Sequence, residues 1–127
     1  MARPKSPELT QRELELMHVF WNVGPMTAVE AREQFAAAGT DLAYTTVATL
    51  VKILVGKKYL KQSGDQRPFT YQPIRTFDDV SKRLVGDLVK RVFGGSREEM
   101  LVQLLDGKKL SAKERQVLEQ ILQEGNK

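Results

Sequence analysis

The sequence of 127 residues predicts a mainly α-helical fold in which three helices precede one β-hairpin and three further helices follow it. Two observations predict this order. Apolar residues recur at helical spacing in six segments, and between the third and the fourth lie two short β-type runs, 59–63 and 69–73, around a turn of polar and breaker residues. Three helices followed by a hairpin is the order of a winged helix-turn-helix domain. We therefore predict such a domain over residues 1–75 and a helical region over 76–127.

Composition excludes several classes of protein. The chain has no cysteine and a single histidine, so it offers no disulfide framework, no cysteine-ligated zinc site and little material for a histidine-based triad. No segment approaches the run of about 18 apolar residues that a membrane span needs, and the N-terminus lacks the apolar core of a secretory signal. No nucleophile stands beside a base at motif spacing. We expect a cytoplasmic protein that is not an enzyme, needs no metal or cofactor and does not insert into a membrane.

Capping boxes predict where four of the helices begin. In this pattern a serine or threonine side chain and a glutamate three residues later each accept a hydrogen bond from a free backbone N–H of the first turn. The four boxes are Thr10–Glu13, Thr27–Glu30, Ser96–Glu99 and Ser111–Glu114. Glycines predict the ends of the helices, because a left-handed residue commonly closes the last turn. These glycines are Gly24, Gly39, Gly94, Gly95 and Gly107.

The third helix, predicted from near Ala43 to Val55, has an unusual outer face. Its apolar side is formed by Val47, Leu50, Val51 and Leu54, and its opposite side by Thr45, Ala48, Thr49 and Lys52. Exposed helical positions are usually filled by residues with higher helix propensity than threonine. Short side chains allow this face to approach another molecule closely. The plainer interpretation, that Thr45 or Thr46 is only the N-cap, accounts for one threonine and not for the face.

Positive charge is concentrated in the third helix and the hairpin. Residues 42–75 hold six cations and one acid, a balance of +5 that exceeds the net +4 of the whole chain. The six cations are Lys52, Lys57, Lys58, Lys61, Arg67 and Arg75. A charge run is usually a solvated face, but its concentration in one supersecondary unit, with Lys61 and Arg67 expected near the hairpin tip, favours a polyanionic partner.

The helices of residues 76–127 carry apolar stripes that so short a region cannot bury alone. Packing onto the winged domain is one explanation. We favour a homodimer, because helix-turn-helix proteins usually fill symmetric DNA half-sites with two copies. The predicted dimer interface comprises Leu84, Leu88, Val92, Leu101, Leu104, Leu105, Leu118, Ile121 and Leu122.

Three sequence runs closely resemble the penicillinase repressor family of the BlaI/MecI type. They are Leu9-Thr10-x-x-Glu13-x-Glu15-x-Met17, Phe20-Trp21-x-x-Gly24-Pro25-x-Thr27 and Ala43-Tyr44-Thr45-Thr46-Val47-x-Thr49-Leu50. Tyr71-x-Pro73 and Leu110-Ser111-x-x-Glu114 also fit, so the resemblance covers essentially the whole chain. It implies a dimeric winged-helix repressor whose C-terminal helices intertwine and whose third helix enters the major groove of an operator with inverted repeats.

The chain departs from the family pattern at two positions. A basic residue is usual where Ile53 stands and a glycine where Lys58 stands, so the operator of the antibiotic-resistance members is not expected to carry over. The lack of cysteine excludes the copper-responsive variant. The resemblance also implies release from DNA by a single cut, made through a membrane-bound metalloprotease sensor, and alignment on Leu110 places that bond at Gln103–Leu104. The alternative that we prefer is regulation by some other route, or no regulation at all, with Leu104 only a core leucine.

These observations predict a DNA-binding transcriptional repressor that binds a two-fold symmetric operator as a homodimer. The predicted contacts with double-stranded DNA are Tyr44, Thr45, Thr46, Ala48, Thr49, Lys52, Lys57, Lys58, Lys61 and Arg67. The threonines would contact the groove and phosphates, with Lys52 and Lys57 flanking them and the wing cations holding the backbone. Two alternatives stay open: a winged-helix protein-interaction module, and a ligand-sensing regulator with a pocket between the wing and the dimer helices.

Overall fold

A computed structural model describes residues 8–106 and 109–125, and the predicted helix end at Gly107 lies outside the described residues. Six helices and three strands occur within that part of the chain. In order they are α1 Gln11–Val23, β1 Met26–Thr27, α2 Ala28–Ala37, α3 Tyr44–Gly56, β2 Leu60–Ser63, β3 Thr70–Pro73, α4 Phe77–Val92, α5 Arg97–Leu105 and α6 Ala112–Gly125. The predicted mainly α-helical fold with one hairpin is confirmed. No helix of these two ranges combines the length and the apolar character that crossing a membrane requires.

The chain divides into two compact units, residues 1–82 and 83–127. The first unit thus includes the first turns of α4, although the sequence placed the division at 75/76, before that helix. The start of α4 packs on α1: Val80 is buried, and the Phe77 ring lies 5.4 Å from the Trp21 ring. Trp21 Nε1 also donates a hydrogen bond of 2.9 Å to the Arg75 carbonyl. These contacts attach the chain leaving the hairpin to the first helix.

The capping predictions are confirmed in full at three helices and in half at a fourth. At Thr10, Thr27 and Ser111 the side chain accepts from the N3 backbone, and the glutamate at N3 accepts from the cap backbone. At α5 the Ser96 hydroxyl accepts from the Glu99 N–H, but the Ser96 N–H donates to the Phe93 carbonyl. The turn before α5 therefore supplies the partner that a glutamate supplies elsewhere.

The wing belongs to a three-stranded antiparallel sheet with the order β1-β3-β2. The strands β2 and β3 form the predicted hairpin, with Leu60 opposite Pro73 and Ser63 opposite Thr70. The sequence did not predict β1, whose two residues pair with Tyr71 and Thr70. So short a strand shows no alternation of its own and forms only because α1 and α2 bring it beside the hairpin.

The core of the first unit lies where α1, α2 and α3 meet the sheet. Its buried apolar residues are Leu16, Met17, Phe20, Met26, Ala28, Ala31, Phe35, Val47, Val51, Leu54, Tyr59, Leu60 and Val80. Of the predicted apolar side of the third helix, Val47, Val51 and Leu54 are buried as expected, whereas Leu50 is only half-buried. Packing in this core fixes how α3 and the wing are presented.

Candidate nucleic-acid interface

The outer face of α3 is exposed and carries short side chains. Thr45, Thr46, Thr49 and Lys52 are exposed, and Ala48 is half-buried. The N-cap is Ala43, which makes no side-chain capping bond, so the interpretation of Thr45 or Thr46 as the cap is wrong. Both threonines instead lie within the helix. The Thr49 hydroxyl donates to the Thr45 carbonyl at 2.9 Å, which satisfies its donor and leaves its lone pairs as acceptors.

A groove of about 730 Å³ lies between α3 and the wing. The α3 residues Tyr44, Ala48, Val51, Lys52 and Val55 form one side of it. The hairpin residues Gln62, Arg67, Pro68, Phe69 and Tyr71 form the other, and Thr27, Ala28 and Val29 complete the lining. Ala48 and Lys52 are thus shared by the outer face of α3 and the groove, whereas Thr45, Thr46 and Thr49 line a separate depression on the helix itself.

The six cations of the helix and the hairpin do not all face outward. The Lys57 ammonium lies 2.8 Å from Glu13 Oε1 and donates to the Glu8 carbonyl, also at 2.8 Å. The Arg75 guanidinium lies over the Tyr59 ring, 4.8 Å from its centroid, and its Nε donates to the Lys58 carbonyl. Among the described residues of α3, the turn after it and the hairpin, the exposed cations are Lys52, Lys58, Lys61 and Arg67.

The two wing cations, Arg67 and Lys61, lie at different distances from the tip of the hairpin. Arg67 belongs to the loop between β2 and β3, as expected, and its guanidinium lies 5.6 Å from the centroid of the Phe69 ring. Lys61 is the second residue of β2, opposite Gln72, so its expected position near the tip is wrong. The strand β2 begins at Leu60, one residue later than the predicted run. Two paired residues, Gln62 and Ser63, lie between Lys61 and the loop. Arg67 alone of the two lines the groove.

The ion pair of Lys57 lowers the pKa of Glu13. Burial of Glu13 on its own opposes ionisation and is the largest single influence on this group. The hydrogen bond and charge of Lys57, together with the Thr10 N–H and hydroxyl, outweigh burial and hold the pKa below its ordinary value. The charge of Lys57 is therefore balanced inside the fold.

Lys58, directly after the C-cap of α3, has a left-handed backbone with φ of +70°. A residue with a Cβ atom pays for this conformation, whereas glycine adopts it freely. The glycine that the resembled family usually carries here thus has a conformational reason. The lysine keeps the turn and adds an exposed cation.

Sequence reasoning missed several residues of the groove. Gln62 and Tyr71 are register partners on β2 and β3, and both line it. Val29, in the first turn of α2, also lines it. The alternation of the hairpin strands, counted from buried Leu60, is the signal that places Gln62 on the same face of the hairpin as Leu60.

The second unit, taken by itself, leaves its apolar stripes exposed. Every residue of α5 and α6 that the structure describes is at least partly accessible. Of the predicted dimer interface, Leu84 and Leu118 are half-buried. The exposed members are Leu88, Val92, Leu101, Leu104, Leu105, Ile121 and Leu122.

A helix-turn-helix whose exposed helix face carries short side chains, and which lies beside a basic wing, defines a winged-helix DNA-binding transcriptional regulator. Residues 9–124 match the sequence profile of the penicillinase repressor family. The chain belongs to that family, as the three sequence runs predicted. This is a family of transcriptional regulators rather than of enzymes.

Individual relatives agree with this assignment. The chain is 27% identical over 120 residues to a penicillinase repressor of Bacillus licheniformis, covering 94% of this chain and 93% of that one. It is 32% identical over 90 residues to the transcriptional regulator BlaI of Mycobacterium tuberculosis, covering 70% of this chain and 64% of the relative. The solution structure of the DNA-binding domain of the repressor BlaI is similar with a TM-score of 0.51 and 26% identity, covering 61% of this chain and 93% of that domain.

Proposed function

We propose that the chain is a cytoplasmic transcriptional repressor that binds a two-fold symmetric operator in duplex DNA as a homodimer. One observation carries the proposal: Ala48 and Lys52 of the outer face of α3 line a groove shared with the wing, and the charged lining residues of that groove are both cations, Lys52 and Arg67. A helix fits the major groove of B-DNA, and a cationic wall attracts the phosphates that border it.

The side chains divide by the part of the DNA that each can reach. Thr45, Ala48 and Thr49 would contact base edges, mainly through apolar contact with thymine methyl groups and acceptance of hydrogen bonds by hydroxyl oxygens. Thr46 and Tyr44, near the start of α3, would contact the sugar-phosphate backbone. This division predicts moderate sequence preference, because no long hydrogen-bonding side chain lies at the centre of the face.

Phosphate contacts come from the exposed cations. Lys52 and Arg67 would hold one strand from the two sides of the groove, and Lys58 and Lys61 would add contacts from the end of α3 and from β2. We leave Lys57 out of the proposed contacts, although the sequence placed it there, because its ammonium is bound to Glu13 and to the Glu8 carbonyl.

The exposed stripes of the second unit support the homodimer. A single copy leaves large side chains such as Val92, Leu104 and Ile121 more than half accessible. Apolar faces of this extent mark surfaces that associate with another chain. A second copy is the partner that a two-fold operator requires, since symmetric half-sites mirror a symmetric protein.

Proteolytic release is the route of regulation that the family resemblance implies, and it is tested separately from the route that we prefer. The Gln103–Leu104 bond lies within α5, and Leu104 is exposed. A protease would need α5 to open locally, and separation of α6 would then remove Ile121 and Leu122 from the dimer. Co-expression with a candidate metalloprotease sensor, addition of inducer and mass analysis test this. A fragment ending at Gln103 supports cleavage, and an intact chain during induction contradicts it.

Selection from a randomised pool of duplexes tests the DNA-binding function. Duplexes of about 30 base pairs, roughly three helical turns, hold two half-sites one turn apart. We expect the full-length chain to enrich an inverted repeat, and Thr49→Ala to enrich a different half-site at similar yield. Failure to enrich any duplex, with binding insensitive to salt, would favour the protein-interaction module.

A further inference from the structure

The groove between α3 and the wing has an apolar lining that DNA binding does not require. Val29, Val55, Phe69 and Tyr71 all contribute to it. Val29 is 47% exposed, so this apolar side chain is not packed into the core. A phosphodiester strand is charged and hydrated, and cations and hydroxyl groups suffice to hold it. The apolar wall therefore fits an additional occupant.

The size and the charge of the groove limit what that occupant is. Its volume of about 730 Å³ falls within the range of small-molecule sites, about 300–1,000 Å³. Lys52 and Arg67 are cationic, and no acidic residue lies among the described residues that line it. The remaining polar side chains, the hydroxyls of Thr27, Tyr44 and Tyr71 and the amide of Gln62, all contain hydrogen-bond donors. An anion with a flat apolar body matches this lining.

Arg67 is the side chain best placed to bind such an anion. Its guanidinium already lies over the Phe69 ring, 5.6 Å from the centroid, at the edge of the apolar wall. If the carboxylate group of a ligand bonded to that guanidinium, the aromatic body of the ligand would lie against Phe69, Val29 or Val55. Arginine binds a carboxylate with two parallel hydrogen bonds, so the contact also sets orientation.

We propose that this groove is an effector site for aromatic monocarboxylates, which bind Arg67 and Lys52 and compete with DNA for them. All lining residues belong to the first unit. The ligand-sensing alternative of the sequence placed a pocket beside the dimer helices, whereas this groove lies against α3. The proposed binding of the carboxylate is argued from the groove alone. Only the proposed competition with DNA rests on the proposed DNA-binding function.

Calorimetric titration of the full-length chain with naphthoate, in the absence of DNA, tests the binding. Naphthamide has the same two rings without the charge, and acetate has the charge without the rings. We expect naphthoate to bind at least about tenfold more tightly than either, and Arg67→Gln to weaken it about tenfold. Lys61→Gln is the matched control, because it removes the same charge from the wing at a residue that does not line the groove.

Selective loss in Arg67→Gln, with Lys61→Gln unchanged, supports the site. Absence of binding, equal binding of naphthamide, or equal loss in both variants overturns it. Duplex affinity measured with and without saturating naphthoate tests the competition, which an unchanged affinity contradicts. If the chain binds no duplex even without naphthoate, the proposed DNA-binding function fails. The titration still shows whether the groove binds the carboxylate.

Discussion

Lys57 Nζ lies 2.8 Å from Oε1 of Glu13 and joins the C-terminal end of α3 to the first turn of α1. The two side chains are only 13% and 5% exposed. The same carboxylate oxygen accepts the Thr10 N–H at 3.1 Å, and the same ammonium donates to the Glu8 carbonyl. One carboxylate thus caps α1 and also fixes the helix that we propose contacts DNA.

Removing only the lysine leaves a buried carboxylate without its counter-charge. We expect Lys57→Met to lower the free energy of unfolding by about 3 kcal/mol, measured by chemical denaturation. The double variant Glu13→Gln with Lys57→Met should recover most of this loss, because glutamine can still accept the Thr10 N–H. Lys61→Met, at an exposed strand position, is the control and should change stability by about 0.5 kcal/mol or less. Additive effects of the two substitutions would show that the pair is not coupled.

The lowered pKa of Glu13 makes part of the stability depend on pH. The folded chain holds a proton on this group less well than the unfolded chain, so the stabilisation is fully present above the unfolded pKa. It is lost as the pH falls through the lower, folded pKa. The stability difference between the wild type and Glu13→Gln should therefore be large near pH 7 and shrink below about pH 4. Denaturation curves of both proteins across this range measure it, and a difference that grows on acidification would contradict the assignment.

The left-handed backbone of Lys58 predicts a substitution that stabilises the fold. Lys58→Gly should raise the free energy of unfolding by about 1 kcal/mol, because glycine adopts a φ of +70° without a Cβ clash. Lys58→Ala removes the same charge and keeps the clash, so its stability should stay near that of the wild type. Equal stabilisation by both substitutions would assign the effect to the lysine side chain rather than to the backbone.

Arg67 should contribute to DNA affinity through phosphate contact. Each phosphate neutralised adds about 0.9 to the magnitude of the slope of log affinity against log salt, so Arg67→Ala should reduce that slope by about 1.8 in a dimer. Affinity should fall alike for all sequences. Thr49→Ala is the comparison variant: it should alter preference among sequences and leave the slope unchanged. Fluorescence anisotropy over a salt series measures both, and an intact slope in Arg67→Ala would remove this residue from the interface.

The sequence predicted the parts of the molecule whose cause is local. Thr10, Thr27 and Ser111 cap their helices as the pattern required, because the partner lies three residues away. Contacts between distant segments were not predictable in this way. Glu13 reads as a surface capping residue until Lys57, 44 positions later, packs against it. Met26–Thr27 becomes a strand only beside Thr70 and Tyr71.

The exposed stripe of α6 gives a test of the homodimer. Ile121→Glu places a charge on a side chain that is 57% exposed in a single chain, so the helix itself should remain folded. A buried, unpaired carboxylate in a dimer interface is costly, so the variant should be monomeric at micromolar concentration by light scattering. Gln120→Glu adds the same charge one position away, outside the apolar stripe, and should remain dimeric.

Operator affinity should fall in Ile121→Glu alone, because each half-site is then bound independently. An Ile121→Glu variant that stays dimeric would place the interface elsewhere, and a wild-type protein that is already monomeric would contradict the homodimer.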